Sequence, residues 1–104
     1  MFTSLVQHPV HIHTVDGVIT VMPSGAVARV EEIRIDCPPI DGVHTTRVEY
    51  GEVTGLPALE PGVTYIVSGM VASAVRRLDV VSPGPGLRDR NGNIVGCEGL
   101  TAWW

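Results

Sequence analysis

The dipeptide Asp16-Gly17 lies between two runs of alternating apolar residues, 10–15 and 18–22, and this arrangement restricts the chain more than any other feature. Both residues tolerate the positive φ of a type I′ turn, so the pattern predicts a β-hairpin. In that hairpin Val15 pairs with Val18, and His13 lies opposite Thr20. Val10, Ile12, Ile19 and Val21 then share one face, expected to be core, while His11 and His13 point the other way. Asn91-Gly92 repeats the signal between 87–90 and 94–97 and predicts a second type I′ hairpin at the end of the chain.

The rest of the chain is punctuated in the same manner. Residues 2–6, 27–36, 43–53, 64–67 and 79–81 are strand candidates. Asp36-Cys37-Pro38-Pro39 and Asp41-Gly42 make the corner between the two longest of them, and 82–86 reads as a rigid loop with few N–H donors. Val and Ile supply 24 of the 104 residues, and β-branched side chains fit a pleated, half-buried surface. One helix is predicted near 69–78, capped by Ser68. Met70, Val71, Ala74 and Val75 recur at helical spacing there, and Arg76-Arg77 fall in its last turn. The expected fold is mainly β, a small antiparallel barrel or sandwich with one short helix near 69–78, or an α+β variant of it. Residues 1–104 form a single domain, with a core that includes Val48, Ile66, Val71 and Val75 beside the first hairpin.

Charge and hydropathy exclude several function classes. The net charge is −4, which argues against nucleic acid or an anionic membrane as a partner held by field alone. No apolar run reaches the ~18 residues of a membrane span, and no basic-apolar leader opens the chain, so a cytoplasmic location is expected. All seven basic residues are Arg. There is no Gly-x-Ser-x-Gly elbow, Walker loop or dinucleotide fingerprint, and no cofactor is implied.

Four groups of residues invite chemistry. His8, His11 and His13 place three imidazoles within six residues, a weak candidate metal site because no Cys or carboxylate follows at zinc-site spacing. Cys37 and Cys97 stand 60 positions apart and read as inert thiols. Arg76, Arg77, Arg88 and Arg90 are four of the seven cations and flank the Gly/Pro loop 82–86. With Ser82, Gly84, and Tyr50 or Tyr65 for stacking, they make a candidate site for phosphate or carboxylate. Asp79 and Asp89 are the competing partners for those guanidinium groups. Trp103-Trp104 end the chain; adjacent indoles in a strand face opposite sides, so one is expected to need a partner surface, as in a homo-oligomer.

The runs Leu5-x-x-His8-Pro9-Val10-x-Ile12 and Pro23-Ser24-Gly25-x-Val27-Ala28-Arg29-Val30 carry a resemblance that extends along most of the chain. Tyr50-Gly51-Glu52-Val53-x-Gly55-Leu56-Pro57, Tyr65-Ile66-Val67-Ser68, Val80-Val81-x-Pro83-Gly84-Pro85 and Gly96-Cys97-x-Gly99-Leu100 continue it. The pattern resembles small uncharacterised proteins of actinobacteria and their phages. Where those proteins often begin with Thr-Pro-His, this chain has Val6-Gln7-His8. The resemblance implies a phage-type context and no particular activity.

Two functions from different classes follow. The first is a non-enzymatic binder of a small anionic molecule, such as a nucleotide signal of host immunity held by a counter-defence sponge. The second is a virion structural or accessory protein, or an inhibitor that binds another protein. A small metal-dependent enzyme built on His8, His11 and His13 is the third reading.

Overall fold

Ten strands and one helix follow along the chain, and the computed structural model describes all 104 residues. They are β1 (Phe2–Ser4), β2 (Val10–Thr14), β3 (Gly17–Val21), β4 (Arg29–Ile40), β5 (Val43–Thr54) and β6 (Thr64–Ile66), then α1 (Gly69–Val75), β7 (Val80–Pro83), β8 (Gly86–Arg88), β9 (Ile94–Glu98) and β10 (Leu100–Ala102). One sheet has the order β1-β6-β7-β10, a second the order β3-β2-β9-β8, and β4 pairs only with β5. The fold is mainly β with one short helix, as the residue pattern predicts, and neither four-stranded sheet closes into a barrel.

Alternation along β6 and β7 divides the interior in two. Tyr65, Val67 and Val80 pack with Leu5, Ala28, Val71 and Ala72 on the helix side. Ile66 and Val81 pack with Val10, Ile12 and Cys97 of the other sheet. The first sheet is thus the middle layer, and Ile66 and Val67 within it are wholly shielded from water.

Pairing is not all antiparallel. β1 and β6, β6 and β7, and β2 and β9 run parallel. A parallel pair needs a crossover, and α1 supplies it between β6 and β7. The Ser68 side chain accepts the Val71 N–H at the start of α1. The helix stops at Val75, short of the predicted end, because Arg76 turns left-handed (φ 48°) and donates its N–H to the Ala72 carbonyl. Arg76 and Arg77 therefore lie beyond the helix.

Strands β7–β8 and β9–β10 make one long antiparallel ribbon that passes from one sheet to the other in one register as far as Leu87–Gly96, where a bulge shifts it before Arg88–Ile94. Leu100 opposes Pro83 in the first sheet, and Gly86 opposes Cys97 in the second. At the bend, Gly84 N–H donates to the Gly99 carbonyl and Glu98 N–H to the Pro85 carbonyl. A Cβ on Gly84 would sit 2.0 Å from the Glu98 carbonyl oxygen, so the corner requires glycine there. The predicted loop 82–86 is mostly strand, with only Gly84-Pro85 between β7 and β8.

The turns differ from their predicted types. In the first hairpin Thr14 opposes Gly17 and His11 opposes Thr20, so the turn sits one residue earlier than expected. Thr14 Oγ1 accepts from Asp16 N–H and donates to the Gly17 carbonyl, which stabilises that alternative. The pairing slips by two, so the faces are kept. Ile19 is nevertheless exposed, because β3 is an edge strand. In the last hairpin Asp89 Oδ1 accepts the Asn91 and Asn93 N–H groups, and only Gly92 takes positive φ, so the turn is not type I′. Asp41-Gly42 is the turn with positive φ at both central residues (49° and 77°).

That turn tips the most unusual element. β4 and β5 have 12 residues each and form an isolated ribbon, roughly 40 Å long at the ordinary strand rise. At its base Val30 and Val53 pack against the helix-side core. Two bulges bend it, one where Gly51-Glu52 opposes Glu31, the other where Pro38-Pro39 opposes His44. From residue 33 to 49 every side-chain hydrogen bond and ion pair stays within the arm, as in Arg34 to Thr46 and His44 to Asp36. Val48, expected in the core, lies on this arm and is exposed because no further layer covers it. The Cα radius of gyration is 16.5 Å, against about 13 Å for an ordinary domain of this length.

Candidate functional site

The four clustered arginines are mostly engaged within the protein. Arg77 grips Asp79 with two hydrogen bonds, Nε to Oδ1 at 2.9 Å and Nη2 to Oδ2 at 2.6 Å, and its Nη1 donates to the Pro57 carbonyl. Asp79 is only 9% exposed, and the hydrogen bonds from Arg77 hold its carboxyl below the usual carboxylate range against the opposing effect of burial. Arg76 Nε donates to the Ser73 carbonyl, and Arg88 Nη1 donates to the Gly92 carbonyl at 2.6 Å. Asp89, the other nearby carboxylate, is occupied by turn N–H groups. Arg90 stands exposed in that turn. None of the four principal clefts is lined by Arg76, Arg77, Arg88 or Arg90.

The other predicted site residues are separated. Tyr65 is buried in the core, so its ring packs rather than offering a stacking face. Tyr50 is exposed at the arm base, where its hydroxyl donates to Met70 Sδ at 3.4 Å. Ser82 points inward, and its Oγ accepts the Trp103 Nε1–H at 2.8 Å. The Trp103 ring also lies beside Gly69, while Trp104 is more than half exposed.

The segment around 82–86 does reach a cleft, with different neighbours from those expected. β2 and β9 are paired only at Ile12–Cys97 and His13–Glu98. Toward their N-terminal ends that pairing is lost, and a cleft of about 470 Å³ opens between them. Pro83, Gly84 and Gly86 line it together with His8, His11 and Val95. It contains two imidazoles and no carboxylate or arginine. His11 Nδ1 pairs with Thr20 Oγ1 at 2.9 Å, and His8 Nδ1 pairs with the Pro9 carbonyl at 3.0 Å. His13 instead lies against Gly96, where a Cβ would come within 2.7 Å of its Nε2. The three histidines do not converge, and no group of three or more His, Cys, Asp or Glu side chains is arranged to hold a metal ion. Cys37 is on the arm, and Cys97 is buried beside the cleft.

The arm is a second candidate surface. Directly opposed strand partners share a face, so Ile33, Ile35 and Cys37 lie on one side, and Val48 and Tyr50 on the other. Its tip presents Ile40 and Val43, 62% and 65% exposed, beside Asp41. Sequence reasoning saw both strands and missed the arm. The available signal was that the strand candidates 27–36 and 43–53 are far longer than any other, with apolar residues at both parities.

Compared with known proteins, the chain matches no family model, no curated protein and no solved structure. No helix is long and apolar enough to cross a membrane.

Proposed function

We propose that this protein works by assembly, as a non-enzymatic structural or accessory subunit whose hairpin arm reaches a neighbouring copy. The observation that carries this reading is that, beyond its base, the arm from residue 33 to 49 makes no side-chain hydrogen bond or ion pair to any part of its own chain outside β4 and β5, and no third strand joins its sheet. The molecule exposes 7004 Å², whereas a compact protein of its mass exposes about 5,700 Å². The excess of about 1,300 Å² is larger than the ~800 Å² that one partner contributes to a standard interface. A two-stranded ribbon alone is marginal in water, so the arm gains most from being covered. The phage-type resemblance is consistent with a subunit of a particle or of a small closed oligomer.

Light scattering across a dilution series tests this. The intact chain should be oligomeric, and a variant with residues 34–48 replaced by Asn-Gly should be a monomer with an unchanged body. A monomeric parent at every concentration would refute assembly.

A second reading, sequestration of a small anionic ligand such as a nucleotide, is favoured by the cleft. There Gly86 leaves the backbone bare, and His8 and His11 supply polar ring nitrogens. Arg88 and Arg90 stand on the same hairpin as the cleft's Val95 wall. A rise in melting temperature on adding nucleotides, lost in His11→Ala, would favour this reading over assembly.

A further inference from the structure

We infer that the arm tip of one copy seats in the cleft between β2 and β9 of a second copy. This rests on the assembly reading and names the docking site. β4 and β5 are paired along their length, from Arg29–Thr54 to Ile40–Val43, so the tip is held away from its own body. The tip offers two branched apolar side chains flanking Asp41-Gly42. The cleft offers an apolar lining, with Ile94 and Val95 exposed on its β9 side. The polarity is compatible as well. Between residues 35 and 46 the arm carries Asp36 and Asp41, with His44 as its only basic group. The cleft has His8 and His11 and no carboxylate to repel an acidic tip. The hollow at the arm base, about 410 Å³, is lined by Arg29 and Glu32 together, so it offers Asp41 one favourable and one unfavourable charge and is the competing receptor. Pro38 and Pro39 remove two N–H donors from β4 just below the tip. This discourages runaway strand-to-strand addition and leaves side chains to make the contact.

Complementation between two variants tests the docking. Ile40→Gln with Val43→Gln alters only exposed tip residues, and Val95→Glu places a carboxylate in the cleft. Unchanged melting of the body shows that both variants fold. Each variant alone should raise the dissociation constant of self-association by at least about tenfold, the scale of losing one well-packed apolar anchor. Mixed in equal amounts they should form a heterodimer, because one retains an intact cleft and the other an intact tip. If Val95→Glu assembles as the parent does while the tip variant does not, the arm docks elsewhere: this inference falls and assembly stands. A tip variant that assembles normally, or a mixture that stays monomeric, also overturns the inference. A monomeric parent removes both.

Discussion

Replacing Gly84 by Ala adds one methyl group, and the structure says that it will force apart the two strands of the ribbon at its corner. The new Cβ would lie 2.0 Å from the Glu98 carbonyl oxygen and 2.8 Å from that of Gly99, where 3.0 Å is the practical limit. Both obstacles are backbone and cannot swing aside. The ribbon must open by roughly 1 Å, which carries the 3.0 Å bond from Gly84 N–H to Gly99 past hydrogen-bonding range. The companion bond from Glu98 N–H to Pro85 is strained by the same movement. Two weakened backbone bonds at about 1 kcal/mol each, with partial desolvation of their groups, predict a loss of about 2–4 kcal/mol. The φ of Gly84 is not in the left-handed region, so the cost is steric and not conformational. Gly86, two residues on, is the control: its Cβ would meet only Ile94 at 3.9 Å, and alanine there should change stability by less than about 0.5 kcal/mol. Urea unfolding followed by fluorescence of Trp103 and Trp104, at fixed protein concentration, measures both. At an m-value of about 1–3 kcal/mol/M the Gly84→Ala midpoint should fall by roughly 1–3 M. Equal midpoints for the two variants would refute the corner.

Ile66→Ala should cost about 2–4 kcal/mol in the same assay, since Ile66 is wholly buried between the sheets and the change removes three carbons and leaves a cavity. A loss under about 0.5 kcal/mol would show that the middle layer is misplaced. Because Arg77 lowers the folded-state pKa of Asp79, their pairing stabilises the protein above the unfolded value of about 3.9 and is lost as pH falls through the lower folded value. Stability should therefore drop more steeply below about pH 4 in the parent than in Asp79→Asn, and parallel acid-denaturation curves for the two would contradict this pairing.

Much of the body is legible along the chain because its signals are local. Asp41-Gly42 and the Val/Ile-rich runs announce strands and turns within a few residues of themselves. Ser68 announces the start of α1 by the hydrogen bond that its side chain accepts three residues later. Val10 and Ile12 keep their predicted inward face even though the hairpin register moves, because a slip of two preserves parity. Arg77 and Asp79 are close in the chain, so their pairing was also visible there as the alternative to an anion site.

What the tertiary structure alone decides is which strands meet and what remains uncovered. Nothing local marks Gly84 as the corner; that depends on Glu98 and Gly99 approaching from the far strand of the ribbon. The cleft exists because β2 and β9, more than 80 residues apart, pair at two positions and then part. Val48 and Ile19 carry apolar side chains at core-like parity, yet one lies on an arm and the other on an edge strand, with no layer above either. Period-two alternation shows that a strand has two faces. Whether a second layer arrives to bury one of them is a property of the whole chain, and for the arm we assign it to a second copy.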